Sequence, residues 1–181
     1  IILIFSIILH EIAHGYAADA LGDPTARLSG RLTLNPLPHI DFVGSILVPA
    51  LLLTSNAPIF FGWAKPVPYN PYNLKNQRWG EALVAGAGSL TNLGIAVLFG
   101  LLVRFGPSVG LSESMLTIAA IISLTNLFLG LFNLIPFPPL DGFTVLRGIL
   151  PWQSAAGLER FAARVQTMGL GFLILFLFIF S

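Results

Sequence analysis

Cysteine is absent from the 181 residues. That excludes disulfides, thiolate metal ligands and a cysteine nucleophile, and it leaves the redox compartment unmarked. Charge is scarce too. Asp, Glu, Lys and Arg make up 9 % of the chain, against about 25 % in soluble domains. With so few polar groups to cover a water-facing surface, most of that surface must meet lipid. The hydrophobic share of 55 % and the mean hydropathy of +0.85 agree. A net charge of +1, with no basic run, gives no footing for a nucleic-acid partner. Internal repeats, low-complexity linkers and an appended soluble region are also missing, so 1–181 reads as a single domain. The apolar run begins at Ile1, which points to trimmed or missing upstream residues. A cleaved signal peptide fits poorly, because no basic n-region or cleavage site is visible.

What is present is membrane-length sequence. Residues 82–103 and 115–135 are uncharged, and each exceeds the ~20 residues needed to cross the hydrocarbon as a helix. Both are dotted with Gly, Ala, Ser, Thr and Asn, which let membrane helices approach closely. Residues 1–20 form a third expected span, and 167–180, extended back through 161–165, a fourth. Residues 42–62 are apolar but interrupted by Pro49, Pro58 and the turn-like SNAP at 55–58. Lys65, Lys75 and Arg78 in one loop and Arg147, Arg160 and Arg164 in another mark the cytoplasmic side, leaving the 104–114 link outside. On that topology 42–62 must enter and leave by one face, as a re-entrant segment lined by protein or water. The expected fold is therefore an all-α polytopic membrane protein. It has about four transmembrane helices plus a re-entrant or strand-like inserted segment.

Inside the first span stands His10-Glu11-Ile12-Ala13-His14. Imidazoles four apart share a helix face. Together they can bind one divalent metal, with Zn²⁺ the usual occupant, and Glu11 beside them can serve as general base. The alternative is a chance pattern on a polar helix face. However, each ionisable group at membrane depth costs roughly 2.5–3.5 kcal/mol, and zinc binding, at about 10 kcal/mol or more, offsets the cluster. A catalytic zinc takes three protein ligands and leaves one position to water. Asp141 in FNLIPFPPLDG is the best third ligand. Pro136, Pro138 and Pro139 unwind the chain after the helix ending near Ile135, and Gly142 permits a sharp turn. Alternatively, Asp141 marks the end of a span at the water interface.

HEIAH in an early membrane helix and NLIPFPPLDG after a later one together resemble the site-2 protease family (peptidase family M50), the intramembrane zinc metalloproteases, in its short prokaryotic branch. LNPLPHID (34–41) and FGWAKPVPYNP (61–71) extend the likeness over almost the whole chain. The resemblance implies one Zn²⁺ per chain held by His10, His14 and Asp141, with Glu11 activating the water. Asn133 would hold the substrate or the oxyanion; otherwise it is a helix-end amide satisfying backbone carbonyls. The element at 61–68 would lie near the substrate path as a membrane-inserted strand. Activity would be hydrolysis of peptide bonds in or near transmembrane segments of single-span membrane proteins. The setting would be a prokaryotic cytoplasmic (inner) membrane, with the site toward the cytoplasm. Such a substrate must unwind, and pairing with 61–68 as an added strand is one route.

The chain departs from the family at Gly88-Ser89-Leu90-Thr91-Asn92, where many relatives have Gly-Pro before the Asn. Asn92 either faces the cavity or bridges two helices. His39 either polarises a carbonyl or makes a local loop hydrogen bond. Trp63, Tyr69, Tyr72 and Trp79 fit an interfacial aromatic belt. Competing readings are a protease clan with a third Glu ligand, a metal-binding transporter, and an inactive homologue. Glu81, Glu113 and Glu159 lie in no matching motif, the long spans hold no ionisable residue, and the His10/Glu11/His14/Asp141 set is complete.

Overall fold

A computed structural model describes residues 1–54 and 62–167. The helices are α1 (Ile2–Ala20), α2 (Thr25–Leu28), α3 (Val48–Thr54), α4 (Gln77–Phe105), α5 (Glu113–Asn133), α6 (Asp141–Ile149) and α7 (Trp152–Thr167). No strand occurs among the described residues. Among the described residues three helices, α1, α4 and α5, are long and apolar enough to cross a membrane. The apolar run 168–180 that carried the fourth expected span lies outside the described residues.

Central α4 packs against α1, α5 and α6. Its inner face is small: Ala82, Ala85, Gly86, Gly88, Ser89 and Ala96 are buried. Short side chains let neighbouring backbones close in, as helix packing in lipid requires. The interior mixes apolar with polar side chains, and large apolar ones cover the outside. Ser6, His10, Ser89, Asn92 and Asn126 are buried, while Leu90, Val97, Leu98, Leu124 and Phe128 are exposed. Polar groups face each other inside the bundle and apolar ones face outward. That arrangement suits lipid as the solvent. One interior contact joins α5 to α1, where Asn126 Nδ2 donates to Ser6 Oγ at 2.9 Å.

The ends of the helices follow local chemistry. Asn76 caps α4 by accepting from Trp79 N, and Ser112 caps α5 by accepting from Met115 N. Asp41 Oδ1 accepts from Gly44 N at 2.7 Å and starts a π-helical turn, Phe42–Leu47, that runs into α3. This apolar piece, Phe42–Thr54, is too short to span. Residues 55–61 of the expected re-entrant segment lie outside the described residues.

Residues 62–70 form an extended strap rather than the expected strand. Pro66 and Pro68 have no N–H to offer a ladder. Several of the donors that remain point into the protein: Trp63 N to Gly44 O at 3.1 Å, Lys65 N to His39 O at 2.8 Å, and Asn70 N to Asp23 Oδ2 at 2.6 Å. Strand addition by a substrate therefore finds these groups already paired.

Asp23 anchors the far end of the strap. It is fully buried and also accepts from Thr25 Oγ1 at 2.6 Å and Asn73 Nδ2 at 2.8 Å. Burial raises its carboxyl pKa, but bonds from Thr25, Asn70 and Asn73 outweigh this and hold it below the usual carboxylate range. A depressed folded pKa gives stability that is full above the unfolded value of about 3.9 and lost as pH falls through the folded one. Asp23→Asn turns one oxygen into an NH₂ facing the Asn70 N–H. We expect the melting midpoint in detergent to fall by roughly 5 °C at neutral pH, with the gap to wild type closing as the pH drops below that window.

Candidate metal centre

Three helices bring the polar cluster together. On α1, His10 and His14 lie one turn apart, with ring centroids 4.5 Å apart and planes at 89°. Asp141 arrives as the first residue of α6. Its Oδ2 lies 3.0 Å from His10 Nε2 and 3.4 Å from His14 Nε2. The proline-rich link 134–140 makes the reversal, so Gly142 is not a turn glycine as expected. It is a helical residue pressed against the end of α5. A Cβ there would collide with the Leu134 carbonyl and lie 2.7 Å from Ile135 O.

The third wall is α4. Val84 O accepts the Nδ1–H of His14 at 2.7 Å, which turns Nε2 toward Asp141. A backbone carbonyl on the far ring nitrogen is the usual way a protein fixes a ligating imidazole. Ser89 Oγ donates to Asp141 Oδ2 at 3.4 Å. Gly88 comes closest of all. A Cβ on it would lie 2.5 Å from His14 Nε2 and 2.7 Å from His10 Nε2. Its missing side chain is what keeps the space between the two imidazoles open.

These residues fit zinc. The three donor atoms lie within 4.8 Å of one another. Tetrahedral zinc at ordinary bond lengths separates its ligand atoms by about 3.3 Å, close to the two His–Asp distances. Burial pushes the Asp141 carboxyl up, but the imidazoles of His10 and His14 hold it down at about 2, so it is the anion a metal needs.

Beside the cluster is a cavity of about 240 Å³, lined by His10, Glu11, His14, Pro66, Val67, Tyr69, Val84, Ala85, Asn133, Pro139, Asp141 and Thr144. Glu11 is outside the donor triangle, and its Oε2 accepts from Val67 N at 2.8 Å. Asn133 reaches the cavity from the last turn of α5 while its Nδ2 donates to Leu129 O at 3.0 Å. One N–H satisfies a helix-end carbonyl, as the alternative expectation had it, and a second N–H and the Oδ1 remain.

Two other sequence candidates lie elsewhere. His39 is buried and its Nε2 donates to Thr33 O at 2.9 Å, the local loop bond. Asn92 is fully buried on α4 one turn beyond Gly88, and neither amide atom has a hydrogen-bond partner among the described residues. Ordered water is the ordinary partner of such a group. Conversely, Tyr69 leaves the aromatic belt and lines the cavity. Burial and the nearby Asp141 raise its phenol pKa against the pull of Arg147, so it stays an O–H donor. Aromatic composition alone could not separate it from Tyr72 and Trp79, which are exposed as a belt requires.

A family model described as peptidase family M50 matches residues 108–177. "Putative zinc metalloprotease YwhC" of Bacillus subtilis (strain 168) is 38 % identical over 187 residues, covering 97 % of this chain and 78 % of that protein. "Putative zinc metalloprotease Rip2" of Mycolicibacterium smegmatis is 30 % identical over 145 residues, covering 79 % of this chain and 53 % of that protein. The chain thus spans about half the length of this mycobacterial relative. No solved structure matches the chain significantly.

Proposed function

The chain belongs to peptidase family M50 and is a membrane metalloprotease, and from that premise we propose that it is a zinc-dependent intramembrane endopeptidase. Its substrates are single-span membrane proteins, cut in or near the span, and it works in a prokaryotic cytoplasmic membrane with the site toward the cytoplasm. The observation that carries this reading is the His10–His14–Asp141 triangle beside a cavity in an otherwise apolar bundle.

His10, His14 and Asp141 would hold one zinc per chain, which would supply Lewis acidity and lower the pKa of its water toward ~7. The protein supplies the rest. Glu11 takes the proton of the attacking water on its carboxylate and returns it to the leaving amine. Asn133 and Tyr69 line the cavity as donors for a carbonyl that gains negative charge in the transition state. Apolar walls at Pro66, Val67, Val84 and Ala85 limit water, which strengthens each of these interactions. The peptide group must enter extended, because helical backbone is hydrogen-bonded and shielded.

Purified protein in liposomes with a single-span reporter tests the proposal. Cleavage mapped inside or beside the span, abolished by a chelator and restored by zinc, is expected, with about one zinc per chain by metal analysis. Metal-dependent ion flux without cleavage would overturn it. Asn133→Ala should lower kcat/KM roughly 10- to 100-fold with zinc content unchanged. Loss of zinc in that variant would instead assign Asn133 to structure.

A further inference from the structure

Arg31 is buried, yet no carboxylate pairs with it among the described residues. Its Nη2 donates to two backbone carbonyls of the strap, Lys65 O at 2.8 Å and Pro66 O at 3.3 Å. The Pro66 carbonyl and the Val67 N–H belong to one peptide group. At the other end of that group, Val67 N donates to Glu11 Oε2 at 2.8 Å. A guanidinium and a carboxylate thus grip opposite poles of a single peptide dipole.

We propose that Arg31 is a positioning residue for the Glu11 carboxylate, acting through the Pro66–Val67 peptide group. This rests on the reading of Glu11 as the proton carrier. A cation on the carbonyl oxygen polarises the peptide and strengthens its N–H as a donor, and the bond from that N–H to an anion is charge-assisted. The strap has little freedom to make the contact otherwise. Pro66 and Pro68 fix the backbone on either side of Val67. The Val67 side chain is buried, and a Cβ on Gly15, one helical turn after Glu11, would lie 3.0 Å from its Cγ1. With one oxygen of Glu11 held, the carboxylate cannot rotate away from the cavity. A general base must sit within hydrogen-bond reach of the proton it takes, so freeing it lowers turnover without touching the zinc ligands.

The test uses the zinc-loaded full chain in liposomes and five variants: Arg31→Ala, Arg31→Lys, Val67→Pro, the double Arg31→Ala/Val67→Pro and Glu11→Ala. Val67→Pro deletes the N–H itself and serves if Arg31→Ala fails to fold. Each of Arg31→Ala and Val67→Pro should lower kcat roughly 10- to 100-fold with zinc content as in wild type, and Arg31→Ala, which lies outside the cavity lining, should also leave KM unchanged. Because both cut the same link, the double variant should be no worse than the weaker single one. Arg31→Lys, which can still donate to a carbonyl, should recover part of the loss. Amide exchange supplies a readout independent of activity. The Val67 amide should be protected in wild type and lose protection in both Arg31→Ala and Glu11→Ala. Wild-type kcat in Arg31→Ala, multiplying losses in the double variant, or an unchanged Val67 exchange rate would each overturn the proposal. If wild type itself fails to cleave while the Val67 amide responds as stated, the functional reading fails and the Arg31–Glu11 coupling stands.

Discussion

Glu11→Gln is expected to bring reporter cleavage down by a factor of about 10⁴ or to background, while the protein keeps its full zinc content and its melting midpoint. Glutamine has the shape of glutamate, and its carbonyl oxygen can accept the Val67 N–H that now bonds Oε2 at 2.8 Å. What it lacks is the ability to accept a proton. Glu11 lies outside the His10–His14–Asp141 donor triangle, so the ligand geometry and its charge are untouched. Metal analysis and cleavage on one preparation separate the two quantities. Cleavage persisting in Glu11→Gln would sink the assignment of the base, and zinc loss would mean that the carboxylate supports the metal instead.

The convergence of the three candidate donors could be read from the chain because its chemistry is local. Two histidines at helical spacing define a face wherever the helix goes, and PFPPLDG announces a break that frees an aspartate. Positions defined by what lies opposite could not be read. Gly142 looks like a turn residue in one dimension, yet its role is to let α6 press against the Leu134 and Ile135 carbonyls. Tyr69 and Tyr72 sit three apart in the same polar loop, and only packing of the strap over α1 puts the first in the cavity and leaves the second outside. Arg31 gave no signal at all, since its partners are carbonyls and carbonyls have no identity in a sequence.

The fold shows the same division. The uncharged runs 82–103 and 115–135 became α4 and α5, because composition over twenty residues decides a span without reference to neighbours. The segment around the strap depends on pairing instead. PVP reads as extended backbone, and it lies in neither a helix nor a strand. Whether an extended segment becomes a strand depends on whether its N–H groups meet a ladder. Here they meet His39, Glu11 and Asp23.

Gly88→Ala is the second large effect we expect, at a position where the sequence showed only a missing proline nearby. Alanine is the better helix former by about 1 kcal/mol, so on propensity alone α4 should gain stability. The added Cβ, however, would lie 2.5 Å from His14 Nε2 and 2.7 Å from His10 Nε2, inside van der Waals contact with both donor atoms. Neither ring has an easy retreat. His14 is tethered through Nδ1 to Val84 O, one turn earlier on the same helix, so it cannot swing off without breaking that bond. His10 is buried, with Asp141 at its Nε2. The strain therefore falls on the one feature with no covalent support, the convergence of three donors on a metal. Zinc affinity should drop by roughly 10- to 100-fold, as measured by competition with a chelating indicator, and cleavage should fall with occupancy and recover in part at high zinc. The overlap is present without the metal, so the metal-free protein should also melt lower than wild type despite the propensity gain. Wild-type zinc affinity in Gly88→Ala would show that α4 stands farther from the imidazoles than this packing requires, and would remove the third wall of the site.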